Sequence, residues 1–146
     1  MQIDYRRASL EDIRSLLRLF GDEFEEPETY QGSIPSDEYL MELLGREDFH
    51  PVVAIADGKV VGGLAAYVLQ KFEQERSEIY IYDLAVAEEY RRRGIATGLI
   101  NKLREVAREI GAWVIYVQAD HGDDPAIELY ESLGTREDVL HFDIIP

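Results

Sequence analysis

A short basic turn joins a strand-like run to a helix-like run near the middle of this chain. Glu78–Val86 reads as a strand, and Thr97–Ile110 places Leu99, Ile100, Leu103, Val106, Ala107 and Ile110 on one helical face. Between them lies Tyr90-Arg91-Arg92-Arg93-Gly94-Ile95-Ala96. A strand that feeds a helix through so short a turn belongs to an α/β fold. The first helical turn offers unpaired N–H groups and the positive end of the helix dipole. Gly94 permits close backbone approach, and the arginines add charge suited to phosphate oxygens. Arg91, Arg92, Arg93, Gly94, Ile95, Ala96 and Thr97 therefore outline a pyrophosphate pocket.

The flanking segments extend that unit. Gln2–Arg6 predicts a first strand. Ser9 caps a helix carrying Leu10, Ile13, Leu16, Leu17 and Phe20, with Asp12 in its first turn. Residues 23–36, with Pro27, Gly32 and Pro35, read as loop, and Asp37–Leu44 as a helix. Pro51–Ala56 and Lys59–Leu69 flank Asp57-Gly58, a strong hairpin turn. Gly111 closes the Thr97–Ile110 helix, and Ala112–Gln118 reads as a buried strand. Pro125 opens a helix that runs to Leu133, and Val139–Ile145 predicts a last strand. The order β-α-α-β-β-β-α-β-α-β predicts an α/β sandwich with a mixed sheet.

Charge narrows the partners. Thirty acidic against fifteen basic residues give a net charge of −15 over 146 residues, a length suited to one domain, 1–146. Such a surface repels nucleic acid and anionic membranes and attracts cations. No run reaches the roughly 18 apolar residues of a membrane span. The N-terminal residues lack an apolar signal region, which leaves a cytoplasmic location as the default. Without cysteine, thiolate catalysis and disulfides are excluded. The three histidines show no metal-ligand spacing, so no metal is expected.

Arg91-x-x-Gly94-x-Ala96 after the fourth strand, followed by Ala126-x-x-Leu129-Tyr130-x-x-Leu133-Gly134, resembles the two signature blocks of the GNAT superfamily of N-acetyltransferases. The resemblance spans essentially the whole chain. It implies the GNAT fold, a mixed central sheet of about six or seven strands flanked by about four helices. Longer strings narrow it. Lys71–Gln74, Arg76–Val86, Val114–Asp120, Gly122–Ala126 and His141–Ile144 look like the aminoglycoside 3-N-acetyltransferases, the gentamicin-modifying resistance type. Asp123, where many members carry Asn, and Gly134-Thr135, where many carry Gly-Phe, depart from the superfamily pattern.

The resemblance implies acetyl-coenzyme A as donor. Backbone amides of residues 92–97, with Arg91, would hold its pyrophosphate, and Leu84, Ala85 and Val86 would pair with its pantetheine arm. An acceptor amine of pKa ~10 must lose a proton before it attacks. Asp83 is the candidate base, since aspartate is depleted in strands and the alternation sets it opposite Leu84. Tyr130 stands where the superfamily often places a general acid, though its helical spacing also suits a core position. Glu23, Glu25, Glu26 and Glu28 in the first loop, Asp120, Asp123 and Asp124 in the late loop, and Asp143 are candidate walls for a polycationic acceptor. Direct transfer in a ternary complex is expected, since no cysteine or Ser-His pair suggests an acyl-enzyme. Two alternatives stay open: an acetyltransferase for another polycation, such as a polyamine or a lysine or N-terminal peptide, and a non-catalytic acyl-coenzyme A sensor. Superfamily dimers leave a homodimer open, with the last strand as a contributor.

Overall fold

The computed structural model describes residues 2–146, which divide into two compact units that meet between Tyr116 and Val117. The first unit holds β1 (Asp4–Arg7), α1 (Leu10–Glu23), α2 (Pro27–Gln31), α3 (Asp37–Leu44), β2 (Phe49–Ala56), β3 (Lys59–Gln70), β4 (Ser77–Val86), a 3-10 turn at Glu88–Tyr90, and α4 (Ile95–Ile110). β5 (Ile115–Val117) crosses the junction, and α5 (Asp124–Leu133) lies in the second unit. The sheet order is β1-β2-β3-β4-β5, with the first four strands antiparallel in sequence. Trp113 N–H donates to Ser77 O at 2.9 Å and Ile79 N–H to Val114 O at 3.0 Å. These bonds advance the same way along both segments, so β5 runs parallel to β4 and the sheet is mixed.

Local chemistry sets the ends of the elements. Ser9 Oγ accepts from Asp12 N–H at 3.2 Å while Asp12 Oδ2 accepts from Ser9 N–H at 3.0 Å, a complete capping box. Arg6 reaches the same carboxylate at 3.2 Å, which ties the end of β1 to the start of α1. Ser36 caps α3 through Tyr39 N–H. Asp57 (φ 51°) and Gly58 (φ 75°) are both left-handed, as a two-residue turn between twisted strands requires.

Adjacent glycines in β3 let both faces of the sheet be covered closely. A Cβ on Gly62 would meet Ile95 of α4 at 3.3 Å, and one on Gly63 would meet Leu16 of α1 at 2.4 Å. Neighbouring residues of a strand point to opposite faces, so α1 and α4 pack on opposite sides. Leu16, Phe20, Leu40, Phe49 and Val53 fill the α1 side, and Leu99 and Leu103 of α4 are also fully buried.

Four expectations need correction. The segment 23–36 is not all loop: Pro27 starts the five-residue α2, which buries no residue and so carries no apolar period. Its Tyr30 packs instead on Phe20 and Phe24, with ring centroids 5.8 and 5.7 Å apart. Ala112–Gln118 forms only a three-residue strand, none of it fully buried. Val139–Ile145 joins no strand of the described residues, because strand-like sequence makes a strand only where a neighbouring backbone accepts it. The described sheet therefore has five strands, and five α-helices accompany it.

Gly63→Ala separates two opposing effects. Strand propensity favours alanine by about 0.5–1 kcal/mol. Overpacking costs about 1–3 kcal/mol, and Leu16, only 3% exposed, has no room to move. The packing term is the larger, so chemical denaturation should show net destabilisation.

Candidate active site

One extra residue in β4 decides which way its functional side chains point. β3 and β4 pair Ala66 with Ile81 but Ala65 with Asp83, which leaves Tyr82 as a bulge. In unbroken alternation Asp83 would share the face of the fully buried Ile79 and Ile81. The bulge transfers it to the opposite face, in line with Tyr80 and Ala85 and their partners Tyr67 and Gly63. This is the face that α1 and α2 border.

On that face the carboxylate is ringed by tyrosines. Tyr30 Oη donates to Asp83 Oδ1 at 3.1 Å. Tyr82 meets Tyr67 and Tyr80 edge-on, with centroids 6.3 and 5.7 Å apart, and Tyr80 stacks on Tyr116 at 4.8 Å. Burial pushes the Asp83 carboxyl above the usual aspartate range, and the charge of Glu26 pushes it further, while the Tyr30 bond opposes both. Burial first and Asp83 second drive the Tyr30 phenol well above its ordinary value. Raised basicity makes this carboxylate a stronger proton acceptor than an exposed aspartate. Aromatic faces beside a carboxylate also favour an ammonium group.

A second feature lies at the end of the same strand. After the 3-10 turn, Arg92 (φ 63°) and Gly94 (φ 77°) are left-handed and turn the chain into α4. The first intrahelical bond runs from Gly98 N–H to Gly94 O at 2.9 Å, so the amides of Ile95, Ala96 and Thr97 have no intrahelical partner. No side chain caps this end, and no acidic residue lies in its first turn. Nothing lies within 4 Å of a Cβ built on Gly94. An uncapped helix end under open space, flanked by Arg91, Arg92 and Arg93, suits a pyrophosphate.

Arg91 is tied into the protein. Its Nε donates to Val86 O at 3.2 Å, and its Nη2 forms an ion pair with Glu23 at the end of α1. The Glu23 side chain is only 18% exposed, so it needs a cation close by. Glu23 is thus held against the basic loop, whereas Glu26 lies near enough to Asp83 to raise its pKa. Leu84, Ala85 and Val86 pair with Leu64, Gly63 and Gly62, which brings the end of β4 directly to the turn.

In the second unit, α5 carries Tyr130, half-buried, its phenol pushed up to about 12 by burial and then by Asp123. Asp120, Asp123 and Asp124 are exposed around the start of α5, where Asp123 N–H donates to Asp120 O at 3.2 Å. Asp143 pairs with His141 at 2.9 Å. The structure thus brings Asp83, Glu26 and the tyrosines together and links Arg91 to Glu23. Tyr30, Tyr67, Tyr80 and Tyr82 were absent from the sequence-derived site. The Tyr80-Ile81-Tyr82-Asp83 run was the available signal.

Residues 13–135 match the Acetyltransferase (GNAT) family. The chain is 29% identical over 143 residues to an N-alpha-acetyltransferase of Saccharolobus solfataricus, an alignment covering 90% of this chain and 79% of that protein. Among solved structures, the aminoglycoside acetyltransferase HMB0005 from an uncultured soil metagenomic sample is 52% identical. It superposes with a TM-score of 0.96 over 100% of this chain and 99% of its own. The aminoglycoside acetyltransferase meta-AAC0020, solved in complex with sisomicin, is 36% identical with a TM-score of 0.89, covering 99% of this chain and 96% of its own.

Tyr30→Phe removes the hydrogen bond that favours the Asp83 carboxylate. The Asp83 pKa should therefore rise further, measured by carbon NMR of labelled aspartate. An unchanged titration would mean that the Tyr30 bond does not stabilise the carboxylate in solution.

Proposed function

The chain belongs to the GNAT family of acetyltransferases, and from that premise we propose that it acetylates the 3-amino group of an aminoglycoside in a ternary complex with acetyl-coenzyme A. The observation that carries this reading is Asp83, turned by the Tyr82 bulge into a ring of tyrosines with its basicity raised. When bound, acetyl-coenzyme A supplies the acetyl group as a thioester and leaves as the thiol. The amides of Ile95, Ala96 and Thr97 and the adjacent arginines hold its pyrophosphate. Backbone groups of Leu84, Ala85 and Val86 orient the pantetheine arm.

Asp83 Oδ takes the proton that the acceptor ammonium must lose, directly or through one water, so that nitrogen can form the new amide bond. Tyr130, with its phenol kept protonated near neutral pH, donates a proton to the departing sulfur. Tyr67, Tyr80 and Tyr82 offer ring faces to the ammonium groups, and Glu26 adds negative charge beside Asp83. Asp120, Asp123, Asp124 and Asp143 are further carboxylates for a substrate that carries several charges. Glu23 joins them once Arg91 turns to phosphate. The 52% identity to an aminoglycoside acetyltransferase supports the choice of acceptor. The likeness to N-alpha-acetyltransferases favours a peptide α-amine as the second reading.

Release of coenzyme A thiol, followed with gentamicin-type drugs, spermidine and short peptides in parallel, tests the acceptor. Turnover with the aminoglycosides is expected. Turnover confined to peptides would select the second reading. Asp83→Asn should lower kcat by at least about 100-fold, in keeping with the usual contribution of a positioned base, while coenzyme A affinity is unchanged.

Glu23→Gln frees Arg91 and removes a negative charge beside the pyrophosphate site. Coenzyme A affinity measured by calorimetry should rise, by about twofold to fivefold if the partly exposed pair is worth roughly 0.5–1 kcal/mol. Unchanged affinity would show that Arg91 does not serve the phosphates.

A further inference from the structure

Gly21 lies buried inside α1, where alanine would be the better helix former. Its presence there has a steric reason. A Cβ at this position would stand 2.6 Å from Gln31 Nε2 and 3.2 Å from Gln31 Cδ. The amide of Gln31 thus occupies the space that the missing side chain leaves. It donates to Arg18 O at 3.0 Å and to Asp22 Oδ1 at 3.4 Å, and both acceptors belong to α1.

This contact matters because α2 has no core of its own to hold it. The helix buries no residue. Glu25, just before it, turns the chain with φ 55°, in the left-handed region that glycine favours. A residue held there persists only where its surroundings impose it. Gly21 again supplies the hold, because its carbonyl accepts from Glu26 N–H at 3.0 Å. The segment 26–31 therefore closes on Gly21 from both ends, through the backbone at Glu26 and through the side chain at Gln31. Between them, Tyr30 packs its ring on Phe20 and Phe24. Ring pairs are favourable over centroid separations of about 4.5–7 Å. A hydrogen bond between oxygens holds over only about 0.5 Å. Ring packing alone therefore does not place the Tyr30 hydroxyl at 3.1 Å from Asp83 Oδ1, on a strand 53 residues away in sequence. A directional bond beside Tyr30 does.

We propose that Gly21 and Gln31 are positioning residues for Asp83: the Gln31 amide, seated on Gly21, fixes α2 so that the Tyr30 hydroxyl holds Oδ1 and the acceptor ammonium meets Oδ2. This role rests on the reading of Asp83 as the base. Neither residue touches a reacting atom. Both act on the direction of the carboxylate, and misplacement by about 1 Å can cost roughly 100-fold in rate.

Gly21→Ala separates this role from folding. The clash it creates is with the tip of a flexible side chain, and alanine favours the helix, so the melting temperature should move by no more than about 4 °C. Yet kcat should fall by about tenfold, with coenzyme A affinity unchanged. Gln31→Met keeps the length of the side chain, removes its donors and should give the same loss without touching α1. The double variant should be no worse than either single one, because both remove one contact. Losses that multiply would overturn the proposal. Carbon NMR of labelled aspartate reads the contact without acetyl transfer. Tyr30→Phe should shift the Asp83 titration in the wild-type chain and leave it unmoved in the Gly21→Ala chain. An equal shift in both backgrounds means that Tyr30 holds Asp83 without the clamp, which excludes the positioning role. A shift lost in Gly21→Ala with kcat unchanged supports the clamp and refutes Asp83 as the base.

Discussion

The extra residue at Tyr82 is the constraint on which the candidate site depends. A strand of period two that buries Ile79 and Ile81 against the α4 side would carry Asp83 to the same side. A carboxylate buried there without a cation would cost several kcal/mol or lose its charge. The bulge removes that conflict. It sends Asp83 to the α1 side, where the Tyr30 hydroxyl meets it, and restores the register so that Ala85 and Val86 stay in the core. The bulge breaks the ladder locally. The adjacent Gly62-Gly63 pair lets α1 and α4 press close on either face of β3.

The same register explains why two opposite charges are neighbours. Val86 ends β4, and its carbonyl accepts from Arg91, whose guanidinium also holds Glu23 at the end of α1. A basic loop on an acidic chain is thus structurally anchored on its acidic side. In the proposed reading, phosphate binding draws on Arg91 and cationic acceptor binding draws on Glu23. Each substrate then weakens the ion pair that competes for the other, so the two sites are linked with positive sign.

Features governed by local chemistry were legible in the sequence. Ser9 caps the helix that follows it, Asp57-Gly58 makes its tight turn, and α3 has the predicted bounds. The turn into α4 was legible too, since Gly94 before an apolar period admits few conformations. The bulge was not, because register belongs to a pair of strands and Tyr80–Asp83 alone does not state its partner. α2 escaped for a different reason. Proline starts it and one tyrosine anchors it, with no apolar repeat to reveal a helix.

The C-terminal segments show a further limit of reading a single chain. Ala112–Gln118 and Val139–Ile145 have the composition of interior strands, yet the first is short and partly covered and the second is exposed. Sequence patterning records that a side chain is selected for burial, and it is silent on which molecule supplies the cover. An apolar strand left in water by its own chain would be a standing aggregation hazard on a protein otherwise rich in charge.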